Sequence, residues 1–318
     1  MRTALVTGGA GFIGSNLADH LVADGRRCHV VDNLSTGRAI QVPAEADLHE
    51  LDIRRSTELT ALVQRVRPET IFHLAAQADV RRALQEPAYD AEVNILGTIA
   101  VLEAARAVGA RVVFASTGGA GYGEYPGLSV PTPETAETRP LSHYGMSKMA
   151  GEGYLRLYGR LYGVESIILR LGNVYGPRQD PHGEAGVVAI FCGRMLDGDR
   201  PTVFGDGLQT RDYVYVADVA AAFLAAERGP SGETVNIGHG VEVTVLHLLE
   251  GLGCDLEPIF APARAGELQR SALDPRKAER IYGWRAETPL PRGLALTYGS
   301  VSAARAAPGA RPPGALVG

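Results

Sequence analysis

Cysteine and long apolar runs are both scarce in this sequence. The three cysteines, Cys28, Cys192 and Cys254, are far apart and fit no disulfide or metal-binding spacing, so we predict buried free thiols and no bound metal. The longest apolar runs, such as "VEVTVLHLL", fall well short of the roughly 20 residues that cross a bilayer. The first residues also lack the apolar region and cleavage site of a signal peptide. We therefore expect a cytoplasmic protein without a membrane partner.

Positive charge is limited as well. The formal net charge is -5 and the isoelectric point is about 5.9, without the basic stripe that nucleic-acid binding requires. We therefore expect no nucleic-acid partner. The 318 residues, 45% hydrophobic and 21% charged, are typical of a globular protein with one large or two modest domains.

The order of apolar segments predicts an α/β fold. The run "RTALVTG" is predicted to be a strand, "FIGSNLADHLVADG" a helix and "RCHVVDN" a second strand, and this alternation continues to "ESIILRL". Strands that alternate with helices form a parallel sheet covered on both faces, so we predict a doubly wound (Rossmann) sheet. The last segment, 301–318, is rich in Ala, Pro and Gly and is predicted to be disordered.

A second, smaller substrate-binding domain is predicted from the change in composition after Asn173. Loops rich in Gly, Pro and charge follow, with helices predicted at "AGVVAIFCGRMLDG" and "TVLHLLEGL". The segment "RDYVYVADVAAAFLAAE" is again a strand followed by a helix, so we expect the chain to return there to the first domain. This assigns residues 1–175 and about 210–236 to the Rossmann domain, and about 176–209 and 237–300 to the second domain.

A glycine-rich segment between the first predicted strand and helix indicates a dinucleotide site. "TGGAGFIG" contains Gly9-x-Gly11-x-x-Gly14 and Gly8-x-x-Gly11-x-x-Gly14, which allow a tight turn and bring backbone N–H groups close to a pyrophosphate. Asp32 ends the next strand, 18 residues after Gly14, where its carboxylate can accept hydrogen bonds from the adenosine ribose. Because Asp32 would repel a 2′-phosphate, we predict NAD rather than NADP as the cofactor.

Two charged residues near this loop leave alternatives open. Arg38 could pair with a phosphate, but a solvated loop arginine is the preferred interpretation. Asp52 follows the third strand and is predicted to lie beside the adenine, with an ordinary strand-end turn residue as the alternative.

Tyr144 and Lys148 stand four residues apart in a predicted helix, within "LSHYGMSKMAGEGY". Residues at this spacing share one helix face, so both side chains can reach the same site. A phenol with a reference pKa of about 10 is a poor base, and a nearby ammonium favours its ionised form. We predict that Lys148 lowers the pKa of Tyr144, so that the phenolate removes a hydroxyl proton as hydride leaves the carbon. The alternative, a core tyrosine beside a solvated lysine, is weakened by the glycine loop and by the hydroxyls of "AST".

Taken together, these segments resemble the extended short-chain dehydrogenase/reductase family, in particular its NAD-dependent nucleotide-sugar epimerases of the UDP-galactose/UDP-glucuronate 4-epimerase type. The resemblance extends from about Arg2 to Trp284. It rests on "TGGAGFIG", "DNLSTG", "LDIR", "HLAAQADVRRA", "NILGT", "STGGAGYG", "YGMSK", "GNVYGPRQ", "GDGLQTRDYVYVADV" and "ARAGELQRS". It implies NAD as the cofactor, a UDP-sugar as the substrate and a homodimer.

The resemblance also implies roles for residues at matching positions, among them Asn94 packing its amide against the cofactor and Asn173 touching the sugar diphosphate. A surface salt bridge is the alternative role for each arginine. The implied catalytic residues are Tyr144, Lys148, Thr117 and Ser116. The implied NAD-binding residues are Gly8, Gly11, Phe12, Ile13, Gly14, Asp32, Asn33, Ser35, Thr36, Gly37, Asp52, Ile53, Leu74, Ala75, Ala76, Gln77, Asn94, Ser116, Tyr144 and Lys148. The implied substrate-binding residues are Thr117, Tyr144, Asn173, Val187, Gln209, Arg211, Arg264 and Glu267.

One departure from the family pattern affects the proton relay. Many members carry three hydroxyl residues in a row, whereas this chain has Ser116, Thr117 and then Gly118. Gly118 occupies the position to which the relay is most often assigned. Thr117 is therefore the first candidate for the relay hydroxyl, and Ser116 is the second.

The same residues serve several reactions in this family, so the fold does not choose among them. No acid lies between Thr117 and Tyr122, where the family's dehydratases carry an Asp-Glu pair and its decarboxylases a Glu, so elimination and decarboxylation are disfavoured. We predict a UDP-sugar 4-epimerase that acts by transient hydride transfer through a 4-keto intermediate. A net nucleotide-sugar dehydrogenase or reductase and a non-catalytic NAD-binding regulator are the alternatives.

The sugar is predicted less narrowly than the reaction. Neutral UDP-glucose and UDP-galactose come first, by their frequency in the family. UDP-glucuronate and UDP-galacturonate follow, with Ser116, Thr117 or Arg194 as donors to the carboxylate. Ser271 in "ELQRS" lies where the family places a gatekeeper, and a small side chain there would admit an N-acetylated sugar.

Overall fold

A seven-stranded parallel sheet forms the centre of the structure, a computed structural model that describes residues 2–181, 186–264 and 266–306. The strands are β1 (Thr3–Thr7), β2 (Arg27–Asp32), β3 (Asp47–Glu50), β4 (Thr70–His73), β5 (Arg111–Thr117), β6 (Ser166–Leu171), β7 (Asn173–Tyr175), β8 (Thr202–Phe204), β9 (Thr210–Arg211), β10 (Tyr213–Tyr215), β11 (Thr234–Ile237), β12 (Val243–Thr244) and β13 (Ile259–Ala261). The central sheet has the order β11-β6-β5-β4-β1-β2-β3.

Helices connect the strands and cover both faces of the sheet, which confirms the predicted doubly wound α/β fold. The helices are α1 (Phe12–Ala23), α2 (Ser56–Val66), α3 (Val80–Gln85), α4 (Pro87–Ala91), α5 (Gly97–Val108), α6 (Gly119–Tyr122), α7 (His143–Tyr162), α8 (Val187–Asp197), α9 (Val216–Arg228), α10 (Val245–Gly251), α11 (Arg276–Tyr282) and α12 (Leu290–Ala306). A 3-10 turn lies at Ala39–Gln41, and a π-helical segment, Glu92–Leu96, joins α4 to α5.

The apolar core lies on the two faces of this sheet. Strands buried on both faces have apolar residues at consecutive positions, because alternate side chains enter two different helical layers. In β1, Val6 packs with the layer of α1 and α9, whereas Leu5 packs with the layer of α2, α5 and α7. Both side chains are fully buried. This is why "RTALVTG" shows no alternation of apolar and polar residues.

The carboxyl ends of the central strands form one edge of a cleft. β1 and β4 are neighbours in the sheet, but the chain continues from β1 to β2 on one side and from β4 to β5 on the other. Ligands of such sheets bind outside the carboxyl ends of the strands at this switch point. Thr7, His73 and Thr117 end β1, β4 and β5 and therefore lie along this edge.

The strand in "RDYVYV" lies outside the central sheet. We expected the chain to return to the first domain in this segment, and its strand, β10, pairs with β7 in a separate two-stranded sheet. The reason is aromatic packing, because the rings of Tyr213 and Tyr215 meet Tyr175 edge to face, with centroids 6.3 and 5.8 Å apart. The chain does return with α9, which packs against α1, and with β11, which pairs with β6.

Short sheets and the helices α8, α10 and α12 form a second core. β8 pairs with β13, and β9 pairs with β12. Tyr175, Val188, Leu248 and Leu294 are buried together in this core. We propose that it belongs to the predicted substrate-binding domain, whose boundaries stay a prediction.

Helix α12 corrects the prediction of a disordered tail. It continues to Ala306, and Val301 is buried in the second core. Residues 301–306 are therefore helical, because this part of the segment has an apolar side chain that packs. Residues 307–318 lie outside the described residues.

The cysteines are only partly as predicted. Cys28 and Cys192 are buried free thiols, and burial raises the pKa of each thiol to about 12. Cys254 is half-buried, so the prediction of burial was wrong for it. Within the described residues, none of the helices combines the length and the apolar character that crossing a membrane requires.

Candidate active site

The turn between β1 and α1 is shaped by glycines that leave no room for a side chain. Gly8 has a φ of 71°, and a Cβ on it would lie 2.6 Å from the Ala75 nitrogen. A Cβ on Gly14 would lie 2.1 Å from the Gly8 oxygen. The backbone of this loop therefore packs directly against the end of β4 and the first turn of α1.

The N-terminus of α1 has the donors that a pyrophosphate needs. The helix begins at Phe12 and follows Gly11, which has no side chain to cap it. The first N–H groups of a helix have no partner within the helix and carry a partial positive charge. The N–H groups of Phe12 and Ile13 thus fit the pyrophosphate of NAD, whereas that of Gly11 donates to Gly8 O at 3.2 Å.

Asp32 is held at the carboxyl end of β2, next to the glycine loop. Its Oδ2 accepts a hydrogen bond from the Ala10 N–H at 3.0 Å, and its Oδ1 accepts one from the Leu34 N–H at 2.8 Å. Each carboxylate oxygen keeps a further lone pair for a ribose hydroxyl. Gly37 closes the loop, because a Cβ there would lie 2.9 Å from the Ala10 carbonyl carbon.

A polar cluster follows Asp32 along the chain. Asn33 Nδ2 donates to Asp52 Oδ2 at 2.9 Å, and Ser35 Oγ donates to Asn33 Oδ1 at 2.7 Å. The hydrogen-bonded ion pair with Arg54, at 2.8 Å, holds the pKa of Asp52 well below its usual range. This pairing favours the interpretation of Asp52 as a turn residue, and its place beside the adenine stays a prediction. Arg38 is exposed, in agreement with a solvated arginine.

The other residues implied to bind NAD lie at different depths. Leu74, Ala75 and Ala76 are half-buried after β4, where Ala75 touches the glycine loop. The side chain of Thr36 is exposed. The side chain of Ile53 is buried in the core, so only the backbone of Ile53 can approach the cofactor.

The amide of Asn94 is hydrogen-bonded within the chain. Its Nδ2 donates to Gln77 O at 2.9 Å and to Asp90 Oδ1 at 3.0 Å, and its Oδ1 accepts from the Gln77 N–H at 2.9 Å. The residue is buried in the π-helical segment. These bonds hold the Asn94 side chain between Gln77, which follows β4, and Asp90 of α4, and the packing of its amide against the cofactor stays a prediction.

Helix α7 brings Tyr144 and Lys148 to the end of β5. The helix starts after Ser142, whose Oγ accepts a hydrogen bond from the Gly145 N–H at 3.1 Å. Lys148 Nζ donates to Ala115 O at 2.9 Å. A Cβ on Gly145 would lie 2.2 Å from the oxygen of Ala120, so the first turn of α7 lies directly on α6.

The proton affinities of this pair differ from the prediction. Burial lowers the pKa of Lys148 to about 8, against the opposing charges of Asp90 and Glu152. Burial raises the pKa of Tyr144, and the charge of Asp90 raises it further. The predicted lowering of the Tyr144 pKa is therefore not found in the chain alone, where burial and the charge of Asp90 both act in the opposite direction.

The two candidate relay hydroxyls have different surroundings. Ser116 is buried, and its Oγ donates to Glu152 Oε1 at 2.7 Å. Thr117 is half-buried, and among the described residues its hydroxyl has no hydrogen-bond partner. Gly118 lies against Leu273, whose Cδ2 would be 2.5 Å from a Cβ at position 118. A hydroxyl side chain at position 118 would require Leu273 to move.

The residues implied to bind the nucleotide form a contiguous group around β9. Arg211 Nη2 pairs with Glu267 Oε1 at 3.2 Å. Gln209 Nε2 donates to Phe204 O at 2.9 Å. The guanidinium of Arg264 lies 3.7 Å from the centroid of the Phe204 ring.

Ser271 brings this group of residues close to the turn that follows β5. A Cβ on Gly119 would lie 3.0 Å from Ser271 Oγ. Asn173 is exposed in β7, and Val187 is half-buried at the start of α8. Arg194 forms an ion pair with Asp199 at the surface, with 3.1 Å between Nη1 and Oδ2.

Sequence reasoning missed two buried carboxylates, Asp90 and Glu152. Both act on the charge of Lys148. A signal for Glu152 was present, since it follows Lys148 by four residues and therefore lies on the same face of α7. Asp90 had no comparable signal, because it lies in α4, far from Lys148 in the sequence, where it accepts hydrogen bonds from Gln77 and Asn94. Within the described residues, no three His, Cys, Asp or Glu side chains are grouped to hold a metal.

Residues 4–238 match the model of a family described as the NAD dependent epimerase/dehydratase family. The chain belongs to this family. A member from Mycolicibacterium smegmatis named UDP-glucose 4-epimerase is 46% identical over 308 residues, which cover 93% of this chain and 97% of that protein. The resemblance recognised in the sequence is thereby confirmed.

Solved structures of family members have the same fold. UDP-glucose 4-epimerase from Thermotoga maritima, crystallised with UDP-glucose, is 45% identical and gives a TM-score of 0.92, covering 95% of this chain and 99% of that one. The enzyme from Thermus thermophilus in complex with NAD is 43% identical and gives a TM-score of 0.88, with the same coverage of both chains.

Proposed function

We propose that this protein is an NAD-dependent UDP-sugar 4-epimerase and that its substrates are UDP-glucose and UDP-galactose. The relatives of that name, with the coverage given above, support the reaction. The observation that carries the proposal is the hydrogen bond between Lys148 Nζ and Ala115 O. This bond joins α7, which carries Tyr144, to the end of β5, which carries Thr117, beside the glycine loop.

NAD, when bound, accepts the C4 hydrogen of the sugar as hydride and gives it back. Tyr144 takes the proton of the 4-hydroxyl group and returns it once the 4-keto sugar has turned over. Thr117 carries this proton between the sugar and Tyr144. We assign the relay to Thr117 because Ser116 donates its hydroxyl hydrogen to Glu152.

Epimerisation requires a firm hold on the nucleotide and a loose hold on the sugar. Arg211 and Arg264 provide guanidinium groups for the diphosphate, and Gln209 and Glu267 extend the same group of side chains toward the ribose. We propose that Asn173 and Val187 complete the site on the side of β7 and α8.

The residues around the turn that follows β5 favour a neutral sugar as the substrate. Of the three donors predicted for a uronate carboxylate, Arg194 pairs with Asp199 and Ser116 is bonded to Glu152, which leaves the hydroxyl of Thr117. UDP-N-acetylglucosamine is the second candidate, because Ser271, the residue beside Gly119, has a small side chain.

We also propose a homodimer that forms through α5 and α7. These helices pack against each other. Leu96, which precedes α5, and Met146 and Leu161 of α7 are 58%, 62% and 61% exposed. Large apolar side chains grouped on neighbouring helices are typical of an interface, and a second copy would bury them. The cytoplasmic location and the lack of a nucleic-acid partner stay predictions.

The test is to incubate the purified protein, without added cofactor, with each of four UDP-sugars: UDP-glucose, UDP-galactose, UDP-N-acetylglucosamine and UDP-glucuronate. The anomeric protons are followed by NMR while the NADH absorbance is recorded. We expect UDP-glucose and UDP-galactose to interconvert without accumulation of NADH. Steady NADH release that depends on added NAD would indicate a dehydrogenase instead, and no reaction with any of the sugars would contradict the proposal.

A further inference from the structure

Glu152 is a buried carboxylate in the catalytic helix to which the proposed reaction gives no role. It follows Lys148 by one helical turn and Tyr144 by two, on the same face of α7. Its exposed fraction is 0%. Burying a carboxylate costs free energy unless it is paired and hydrogen-bonded, so the partners of Glu152 indicate what it is there to hold.

The carboxylate joins α7 to two neighbouring strands. Oε1 accepts a hydrogen bond from Ser116 Oγ at 2.7 Å and one from Arg170 Nε at 2.9 Å. Oε2 accepts bonds from Arg170 Nη2 and from Arg156 Nη2, each at 2.7 Å. Ser116 lies on β5 and Arg170 on β6. Charge-assisted bonds of this kind fix geometry as well as adding free energy.

Helix α7 is thus fastened to β5 at two consecutive residues. Lys148 holds the carbonyl of Ala115, and Glu152 holds the hydroxyl of Ser116. The next residue is Thr117, the last residue of β5. The position of the Thr117 hydroxyl relative to Tyr144 therefore depends on these two hydrogen bonds.

We propose that Glu152 is a positioning residue, which holds Ser116 against α7 and so places the Thr117 hydroxyl in register with Tyr144. This inference rests on the proposed epimerase function. It gives Ser116 a supporting role, because its hydroxyl hydrogen is donated to Glu152.

Glu152 also acts on Lys148 by its charge. Its negative charge favours the ammonium form of Lys148 and opposes the effect of burial, which brings the pKa down to about 8. Burial holds His73 neutral, with a pKa of about 3. Removal of the Glu152 charge is therefore expected to lower the pKa of Lys148. The charged and titratable groups around Lys148 and Glu152 are Asp90, His73, Tyr144, Arg156 and Arg170.

The first experiment uses the fact that Lys148 and Lys277 are the two lysines of the chain. Purified protein with its bound NAD, labelled with ¹³C-lysine, gives two ε-carbon signals, and Lys277→Arg assigns them. We expect Glu152→Gln to move the titration of Lys148 down by roughly one pH unit. Arg156→Gln removes a half-exposed partner of the same carboxylate and is the control, for which no downward shift is expected.

The second experiment tests positioning by steady-state kinetics. Ser116→Ala removes the hydrogen bond between β5 and Glu152 but keeps the buried ion pair between Glu152 and Arg170. This variant therefore remains informative if Glu152→Gln does not fold. Loss of one hydrogen bond predicts a decrease in kcat of about fivefold, with KM for UDP-glucose and the Lys148 titration unchanged. Glu152→Gln combined with Ser116→Ala should be slower than Glu152→Gln by less than that factor, because both changes break the same contact.

The outcomes separate this inference from the proposed function. A wild-type protein that epimerises no UDP-sugar refutes both. An active wild-type protein whose Ser116→Ala variant keeps a normal kcat, or shows only a higher KM, refutes the role of Glu152 alone. An unchanged Lys148 titration in folded Glu152→Gln has the same consequence.

Discussion

At the scale of single residues, the proposed chemistry depends on where protons are held. Tyr144, the proposed base, holds its proton more tightly than a free phenol does, because burial disfavours the phenolate. Positive charge must therefore accompany the reaction, from Lys148 and from the oxidised cofactor when it is bound. Thr117 is half-buried, whereas the hydroxyl of Ser116 is buried and bonded to Glu152.

Tyr144→Phe is expected to keep the bound NAD and to lose turnover by about 10²- to 10⁴-fold, the usual contribution of a general acid–base group. The measurements are the NMR epimerisation assay and the NAD content of the purified protein. Tyr162→Phe, at the exposed end of the same helix, is the control and should behave as the wild type. Near-normal turnover of Tyr144→Phe would remove Tyr144 from the mechanism.

Thr117→Val is expected to slow turnover more than Ser116→Ala does. Valine has the shape of threonine but cannot pass a proton, whereas loss of the Ser116 hydroxyl removes one supporting hydrogen bond. Steady-state rates of the two variants decide the order. The reverse order would assign the relay to Ser116.

The activity of the free enzyme, measured as kcat/KM, should fall as the pH rises through about 8. Burial disfavours the ammonium form of Lys148, so its proton is lost near this value and not near 10.5. Below pH 8 the lysine is charged and supports the ionisation of Tyr144. A profile that stays flat to pH 10 would show that the charge of Lys148 is not needed.

At the scale of elements, close backbone contacts set the geometry of the cleft. The glycine loop touches the end of β4, and the first turn of α7 touches α6. Both contacts exist because a glycine replaces a side chain at the point of approach. The same residue type has a different role in α12, where Gly299 has open space around it.

Gly14→Ala is expected to abolish NAD binding, because its Cβ would lie 2.1 Å from the backbone oxygen of Gly8 and would force the loop open. Gly299→Ala is the matched control and should raise the free energy of unfolding by about 0.5 to 1 kcal/mol, since it adds a good helix former without a clash. NAD content and thermal unfolding measure the two effects. Retention of NAD by Gly14→Ala would contradict the assigned loop geometry.

At the scale of the whole molecule, we propose that the central sheet binds the cofactor and that the second core carries the nucleotide side. The turn after β5 lies against the segment that follows β13, where Gly118 contacts Leu273 and Gly119 contacts Ser271. The proposed relay residue, Thr117, immediately precedes this contact. Helices α5 and α7, which face outward, are the proposed surface for a second copy.

Leu161→Glu is expected to give a monomer, because an apolar side chain that is 61% exposed in the single chain would be replaced by a charge in the dimer interface. Light scattering after size exclusion measures the mass. Leu208→Glu, at a similarly exposed leucine outside α5 and α7, should leave the dimer intact. A wild-type protein that is monomeric at micromolar concentration would refute the proposed dimer.

The sequence alone was sufficient for the features that depend on local pattern. The alternation of strands and helices predicted the doubly wound sheet, and the spacing of Gly8, Gly11 and Gly14 before Asp32 predicted an NAD site. The four-residue spacing predicted that Tyr144 and Lys148 lie on one helix face. These features follow from the periods of helices and strands, which can be read from neighbouring residues.

Only the tertiary structure decided the features that depend on contacts between distant segments. Four such features join residues far apart in the chain or reflect the burial around them. They are the pairing of β10 with β7, the hydrogen bonds of the Asn94 amide, the burial that raises the pKa of Tyr144, and the hydrogen bond between Ser116 and Glu152. Ser116 and Thr117 show the difference most clearly. They are adjacent hydroxyl residues in the sequence, but Ser116 is buried and bonded to the buried carboxylate of Glu152, whereas Thr117, the last residue of β5, is half-buried.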